Sequence, residues 1–440
     1  MISHPLSRRA LFLAGTSALA LLAMSGCSSN SASSGGPGNT PTTVNIVSPH
    51  SNEIRNEFAQ LWKKSHPETT IKWIDQGGTS DDLKFVRDQF ATRGKEKGIG
   101  IDLFFGGGGE TFTELEDDGL LVPLSEKYGV PDELNGVPLR GKNNDWVAAA
   151  LSGFGILYNK KIAARDGLPI PATWADLANP KLQERIELAD PRHSGSAHTT
   201  YEIILQTNGW EKGWKILTAM AGNCRKFATA SSEPLQDVKT GEAVFCSAID
   251  FYATSAIDQA GKDKLGYIEP RGQNILTADP IALLPAAPNE KMAREFIVMV
   301  MSPEGQKLWF APKGSPGGPT NATLFRLPAL PAAYKDIPQG AWTQTNPYAT
   351  KTTGEYDAEK AASRRRALDD LIGSVLVDNL DMVKRAWKKN PNLEQVGYVP
   401  ISEAEFMKIA PKWDDPQFAN ATKAKWNAAA QKHFGSLAKG

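Results

Sequence analysis

The sequence predicts an α/β protein of two units, because short β-branched strands alternate with amphipathic helices twice along the chain. In the first unit "TVNIVSP", "TTIKWID" and "GIDLFFGGGG" read as strands. Between them, Asn52–Lys64 places Ile54, Phe58, Leu61 and Trp62 on one helical stripe, and Leu83–Thr92 reads as a second helix. Strands separated by helices imply parallel pairing, since parallel neighbours need a crossover. The second unit repeats the alternation with "RIELAD", helices at Ala197–Thr207 and Glu211–Ala221, "NCRKFA", a helix around Glu233–Lys239, and "EAVFCSAID". With 440 residues, 41% of them hydrophobic, each unit can bury its own core.

Other segments join these units. Glu110–Asp118 reads as a helix leading into "GLLVPL". Asp145–Ile162, "DWVAAALSGFGILYNKKI", is a long extended stretch with a Ser-Gly break, suited to crossing between units. "DPIALLP", Asp279–Pro285, reads as a return strand, followed by the helix "NEKMAREFIVMVMS" and the turn-helix "SPEGQKLW". The last part is helical, with Leu368, Leu371, Ile372, Val375 and Leu376 on one apolar side. Its "SRRR" run reads as a solvated helix face.

The N-terminus reads as a targeting segment and not as part of the fold, with a short N-terminal membrane anchor as the alternative. Arg8 and Arg9 precede the apolar run Ala10–Met24 and small residues up to Cys27, the layout of a secretory signal. "MSGC" resembles the lipobox of bacterial lipoproteins, with Met24 where leucine is usual, and implies a lipidated Cys27 after removal of residues 1–26. "SRRALFL" also resembles a twin-arginine export signal; ordinary Sec export is the alternative. Residues 27–43 are rich in Ser, Gly, Asn and Pro and read as a flexible tether. Outside the cytoplasm, Cys224 and Cys246 can form a disulfide if neighbouring strands bring them together, with two buried free thiols as the alternative.

Charge and motifs narrow the function. The 49 basic residues cancel the 49 acidic ones, so a nucleic-acid partner is not expected. No nucleophile elbow, zinc-protease motif, Cys-x-x-Cys or phosphate-binding P-loop occurs, and no metal or cofactor is expected. What recurs is a strand running into a polar or glycine loop that feeds a helix. "VSPHSNEI" offers Ser48, His50 and Ser51; "FFGGGGETF" offers Gly106, Gly107, Gly108, Gly109 and Glu110; "ADPRHSGSAHTTYE" offers Arg192, Ser194, Gly195 and Ser196. Helix starts carry unpaired N–H groups and a positive dipole end, which favour an anion. One such loop is routine capping. Three at strand C-termini, shared between two α/β units, mark where such sheets bind ligands.

These segments, together with "PATWADLANPKLQERIELADPRHSGSA", "SSEPLQDVKTGEAVFCSAIDFYA" and "MSPEGQKLW", resemble bacterial ABC-transporter extracellular solute-binding proteins over roughly Val44 to Pro319. The branch resembled contains ferric-ion-binding and phosphorylated-compound-binding members. The resemblance implies a two-lobed, periplasmic-binding-protein-like (type II) α/β fold with extra C-terminal helices. Residues 44–150 would form lobe one, 151–269 lobe two and 270–319 a return to lobe one. Residues 320–440 would form a helical extension packing on lobe one or the hinge. The implied role is capture of one solute for a membrane permease, without chemical conversion, by a monomer held at the periplasmic or cell surface through lipid on Cys27. Ferric-ion binders of this family use a tyrosine pair, a histidine and a glutamate. His50 stands at the histidine, but Phe251 and Tyr252 stand at the tyrosine pair and a glycine at the glutamate. A small anionic organic solute, such as a sugar phosphate or phosphonate, is therefore expected over bare iron, with Asp250 and Tyr252 lining the cleft beside His50. Iron or an iron chelate is the alternative solute. A secreted hydrolase or a sensing lobe for a membrane kinase is the alternative from another class.

Overall fold

The computed structural model describes residues 42–230, 232–273, 275–350 and 354–439. The expected signal, Cys27 and the tether before residue 42 lie outside them.

The chain opens with β1 (Thr43–Val47), α1 (Asn52–Ser65), β2 (Thr70–Ile74), α2 (Thr79–Arg93), β3 (Leu103–Phe105) and α3 (Gly109–Asp117). β1 pairs in parallel with β2 on one side and β3 on the other, as the crossover helices require. A short hairpin, β4 (Glu133–Leu134) and β5 (Val137–Pro138), precedes the 14-residue strand β6 (Trp146–Asn159). α4 (Lys160–Arg165), β7 (Ile186–Ala189), α5 (Gly195–Asn208), α6 (Trp210–Asn223), β8 (Cys224–Ala228), α7 (Ser232–Thr240), β9 (Phe245–Ile249), α8 (Asp250–Ala260) and β10 (Leu265–Ile268) follow. The chain then returns through β11 (Leu276–Leu283), α9 (Glu290–Met301), α10 (Pro303–Phe310) and β12 (Leu327–Pro328).

β6 makes the molecule two-lobed. Its first half, up to Gly153, pairs antiparallel with β11, and its second half, from Phe154, pairs antiparallel with β9. The sheet order β2-β1-β3-β11-β6-β9-β7-β8 therefore passes from one lobe to the other along a single strand. That strand is buried almost throughout, which is why its sequence is a nearly unbroken apolar run. Lobe one packs Phe58, Trp62, Phe105, Trp146, Phe296 and Trp309 into its core, and lobe two packs Trp174, Tyr201, Trp214 and Ile216.

Three expectations are corrected here. The C-terminal helices α11 (Ala358–Ile372), α12 (Leu380–Lys389), α13 (Leu393–Val396), α14 (Glu403–Ile409) and α15 (Pro416–Lys439) mainly complete the lobe-two core, and the expected packing on lobe one holds only in part, through the contact of α11 with α3. Leu368, Leu371, Val375, Trp387 and Phe434 supply the apolar surface that meets α5 and α6, and the Trp387 indole donates to Asn223 Oδ1 at 2.7 Å. The "SRRR" run is not a solvated face, because Arg364 and Arg365 are buried against carboxylates. Cys224 and Cys246 are buried free thiols and form no disulfide. β7 lies between their strands, with Ile186 opposite Cys224 and Glu187 opposite Cys246. Two strand spacings put them roughly 10 Å apart, beyond the reach of a disulfide.

Candidate functional site

A cavity of about 430 Å³ lies where the lobes meet. Four helix N-termini open onto it, through Ser51–Asn52 of α1, Gly78–Thr79 of α2, Gly107–Gly108 of α3 and Gly195–Ser196 of α5. No side chain caps α1, α2 or α3. α5 is capped by Ser194, whose Oγ accepts from the Ala197 N–H at 3.2 Å. Uncapped first-turn N–H groups and the aligned helix dipoles give these helix starts a positive character, set in the same lining against the carboxylates of Glu53, Asp75 and Asp279. The lobes touch around it: a Cβ on Gly78 would lie 2.6 Å from the His193 carbonyl oxygen, and His193 Nδ1 sits 3.5 Å from Asp81 Oδ2.

His50 forms one wall of the cavity. The Ser48 hydroxyl accepts from the His50 N–H at 3.2 Å and fixes the turn before α1, and the imidazole stands edge-on to Phe105 with ring centroids 4.6 Å apart. Gly106 is required beside it, since a Cβ there would lie 2.6 Å from His50 Nε2 and its φ is 95°. That Nε2 is buried without a hydrogen-bond partner. Burial, with Arg326 and Arg55 nearby, holds the imidazole well below its ordinary pKa, so the ring is neutral.

Arg326 forms the floor and is 1% exposed. It donates to Ser152 Oγ at 2.6 Å and to Asp279 Oδ2, and its guanidinium carbon lies 4.1 Å from the centroid of the Phe251 ring. Its Nε has no partner. Arg55 reaches Asp75 and the Ser48 carbonyl. Hydroxyls of Ser51, Thr79, Ser152, Ser196, Thr199, Thr277 and Tyr252 line the remainder. Burial pushes the Tyr252 phenol up, keeping it protonated. The arrangement offers neutral N–H and O–H donors and two guanidinium groups, each already paired with a carboxylate.

Of the residues expected from sequence, the structure brings His50, Gly107, Gly108, Gly195, Ser196 and Tyr252 to the cavity lining, with Ser48 and Gly106 backing His50 and Gly109 opening α3. Four are placed elsewhere. Arg192 forks onto Asp190 at 2.7 Å and Asp378 at 3.0 Å. Glu110 accepts from the Tyr356 hydroxyl, and Ser194 caps α5. Asp250 accepts from the N–H groups of Gly153 at 2.9 Å and Phe251 at 2.7 Å, so its carboxylate braces β6 and faces a different cavity. The residues missed include Arg55, Gly77, Gly78, Thr79, Asp279 and Arg326, together with the hydroxyl-bearing Ser152, Thr199 and Thr277. The "QGGTS" turn follows a strand and opens a helix, so its signal was readable. Arg326, within "TLFRLPA", carries no local sign of a site.

Residues 99–343, more than half the chain, match the family described as bacterial extracellular solute-binding protein. The phosphoglycerate transport regulatory protein PgtC of Salmonella typhimurium is 32% identical over 162 residues, 37% of this chain and 40% of that protein. The chain thus matches less than half the length of that relative. Among solved structures, the periplasmic binding protein AfuA from Actinobacillus pleuropneumoniae with fructose-6-phosphate bound superposes with a TM-score of 0.61 at 17% identity, covering 79% of this chain and 97% of that one. Iron-bound HitA from Pseudomonas aeruginosa gives 0.58 at 18% identity, covering 76% and 100%. Their fold, the two-lobed type II periplasmic binding fold, is the fold of this chain.

Proposed function

This chain belongs to the bacterial extracellular solute-binding protein family, and from that premise we propose that it captures a small anionic organic solute, of the sugar-phosphate or phosphonate kind, between its lobes. It carries the solute to a membrane permease of an ABC importer and does not convert it. The observation that carries this reading is the convergence of four helix N-termini, three of them uncapped, around His50 and the buried Arg326. Such N–H groups suit a phosphoryl or phosphonyl group, while the surrounding hydroxyls suit a polyol body. The unpartnered Nε2 of the neutral His50 adds either a donor or an acceptor, according to its tautomer.

Bare ferric ion fits less well. The cavity histidine lies in the field of Arg326 and Arg55, which opposes a trivalent cation. Among the described lining residues Tyr252 is the only phenol, where the ferric sites resembled use a tyrosine pair. AfuA carries fructose-6-phosphate in its structure and PgtC is named for phosphoglycerate, which makes these two esters the first probes. Export through residues 1–26 and anchoring through lipid on Cys27 belong to the same proposal, as do the division at about residues 150 and 269 and a monomeric state.

A thermal-shift and calorimetry panel of fructose 6-phosphate, 3-phosphoglycerate, a phosphonate, inorganic phosphate, Fe(III)-citrate and uncharged fructose tests the reading. A bound ester at 100 times its Kd adds about 2.7 kcal/mol of stability. Stabilisation by uncharged fructose or iron alone would overturn it, and release of inorganic phosphate from the esters would favour a hydrolase.

A further inference from the structure

Beside the cleft, the C-terminal region reaches back from lobe two to lobe one. Tyr356 donates its hydroxyl to Glu110, and Glu359 pairs with Lys142 at 2.9 Å. Arg365 pairs with Glu114 at 3.4 Å and donates to Ser80 Oγ at 3.0 Å. Asp414 meets Arg87 at 3.4 Å. The root of this grip is firm: Leu368, Leu371 and Ile372 of α11 lie in the lobe-two core, and Arg364 donates to Glu202 at 2.6 Å. Arg365 itself is buried, at 3% exposure, so solvent screens its pair with Glu114 less than a surface pair.

Four of the five lobe-one partners, Ser80, Arg87, Glu110 and Glu114, sit on α2 and α3, and Lys142 lies between β5 and β6. Ser80 is in the first turn of α2 and Glu110 in the first turn of α3, and both helices present their N-termini to the cavity. A lobe that opens by rotation about β6 must pull these contacts apart.

We propose that α11 is an interlobe latch: rooted in lobe two, it grips α2 and α3 of lobe one and thereby sets how much of the unliganded protein is already closed. Arg365 is a positioning residue, acting on the solute seat through Ser80 and Glu114 without touching the cavity. A partly closed unliganded state raises affinity, because the solute need not supply the whole cost of closure. The latch rests on the two-lobe closing motion and not on which solute is carried.

The test places spin labels on cysteines introduced at Lys64 and Lys212, exposed positions on α1 and α6, in the full chain with Cys27→Ser. Pulsed electron resonance then gives the interlobe distance without solute and with fructose 6-phosphate. We expect a closed population in the unliganded protein. Arg365→Gln and Glu114→Gln should each shift it to the open distance and speed solute release on the order of tenfold, within the usual range of coupling between sites. Arg365→Lys should restore part of the closure. Should Arg365→Gln fail to fold, Glu114→Gln carries the test from the lobe-one side. The latch is overturned if the unliganded protein is wholly open, or if folded variants keep its distance distribution. If fructose 6-phosphate leaves the lobes unmoved while the variants still open, the solute assignment fails and the latch stands.

Discussion

The guanidinium of Arg326 is held between the ring of Phe251, 4.1 Å from its centroid, and the carboxylate of Asp279, with Ser152 Oγ at 2.6 Å. Arg326 follows the two α/β units, whereas Asp279 and Ser152 lie on β11 and β6, so the floor of the cavity is assembled from three distant segments.

Arg326→Ala leaves Asp279 buried without its ion-pair partner. The expected cost is about 3–5 kcal/mol of stability, measured by urea unfolding. Solute affinity should fall by about tenfold or more, since hydrogen bonds to charged groups are worth ~1.5–3 kcal/mol. Adding Asp279→Ala should recover part of the stability and none of the affinity. If the single variant binds fructose 6-phosphate as the parent does, Arg326 is not part of the seat.

Gly106→Ala introduces a Cβ 2.6 Å from His50 Nε2 at a φ of 95°. Either the imidazole or the loop must shift, at an expected cost of about 1–3 kcal/mol. Calorimetry should show weaker binding, and His50→Ala should weaken it without a comparable loss of melting temperature. Undiminished affinity in both variants would remove His50 from the proposal.

Arg192→Ala should leave solute affinity unchanged, because the guanidinium is engaged by Asp190 and Asp378 and does not line the cavity. The side chain is 29% exposed, so the stability loss should be about 1 kcal/mol. A large drop in affinity would show that the loop rearranges on binding.

Burial raises the Asp250 carboxyl to about 7. In the unfolded chain the group titrates near ~3.9. Between those values the folded protein holds a proton that the unfolded chain has released, so this group's contribution to stability falls as pH rises through the window. Asp250→Asn should flatten the dependence of melting temperature on pH between about 4 and 7. An unchanged slope would mean that Asp250 is ionised in the folded state.

Cys224 and Cys246 are buried, and burial pushes both thiols up, Cys224 to about 12. Neither should react with a thiol reagent until the protein is denatured, and reductant should not alter the melting temperature. A reductant-dependent melting temperature would instead mean a disulfide.

By itself the sequence determined the local elements and most of the loops that reach the cleft. Period-two strands, period-3.6 helices and the glycine or serine turns between them are written within a few residues of one another, so β1, α1, β3, α3, β7 and α5 were legible, and so were His50, Gly107, Gly108 and Ser196. The long apolar run of β6 also announced a crossing between units. Only the tertiary structure decided that Arg326 enters the cavity, that Arg192 turns away to Asp378, that β7 separates the two cysteines, and that α11 buries two of its three arginines while bridging the lobes. Each of these depends on contact between segments far apart in the chain, and side-chain type does not specify a distant partner until packing brings the surfaces together.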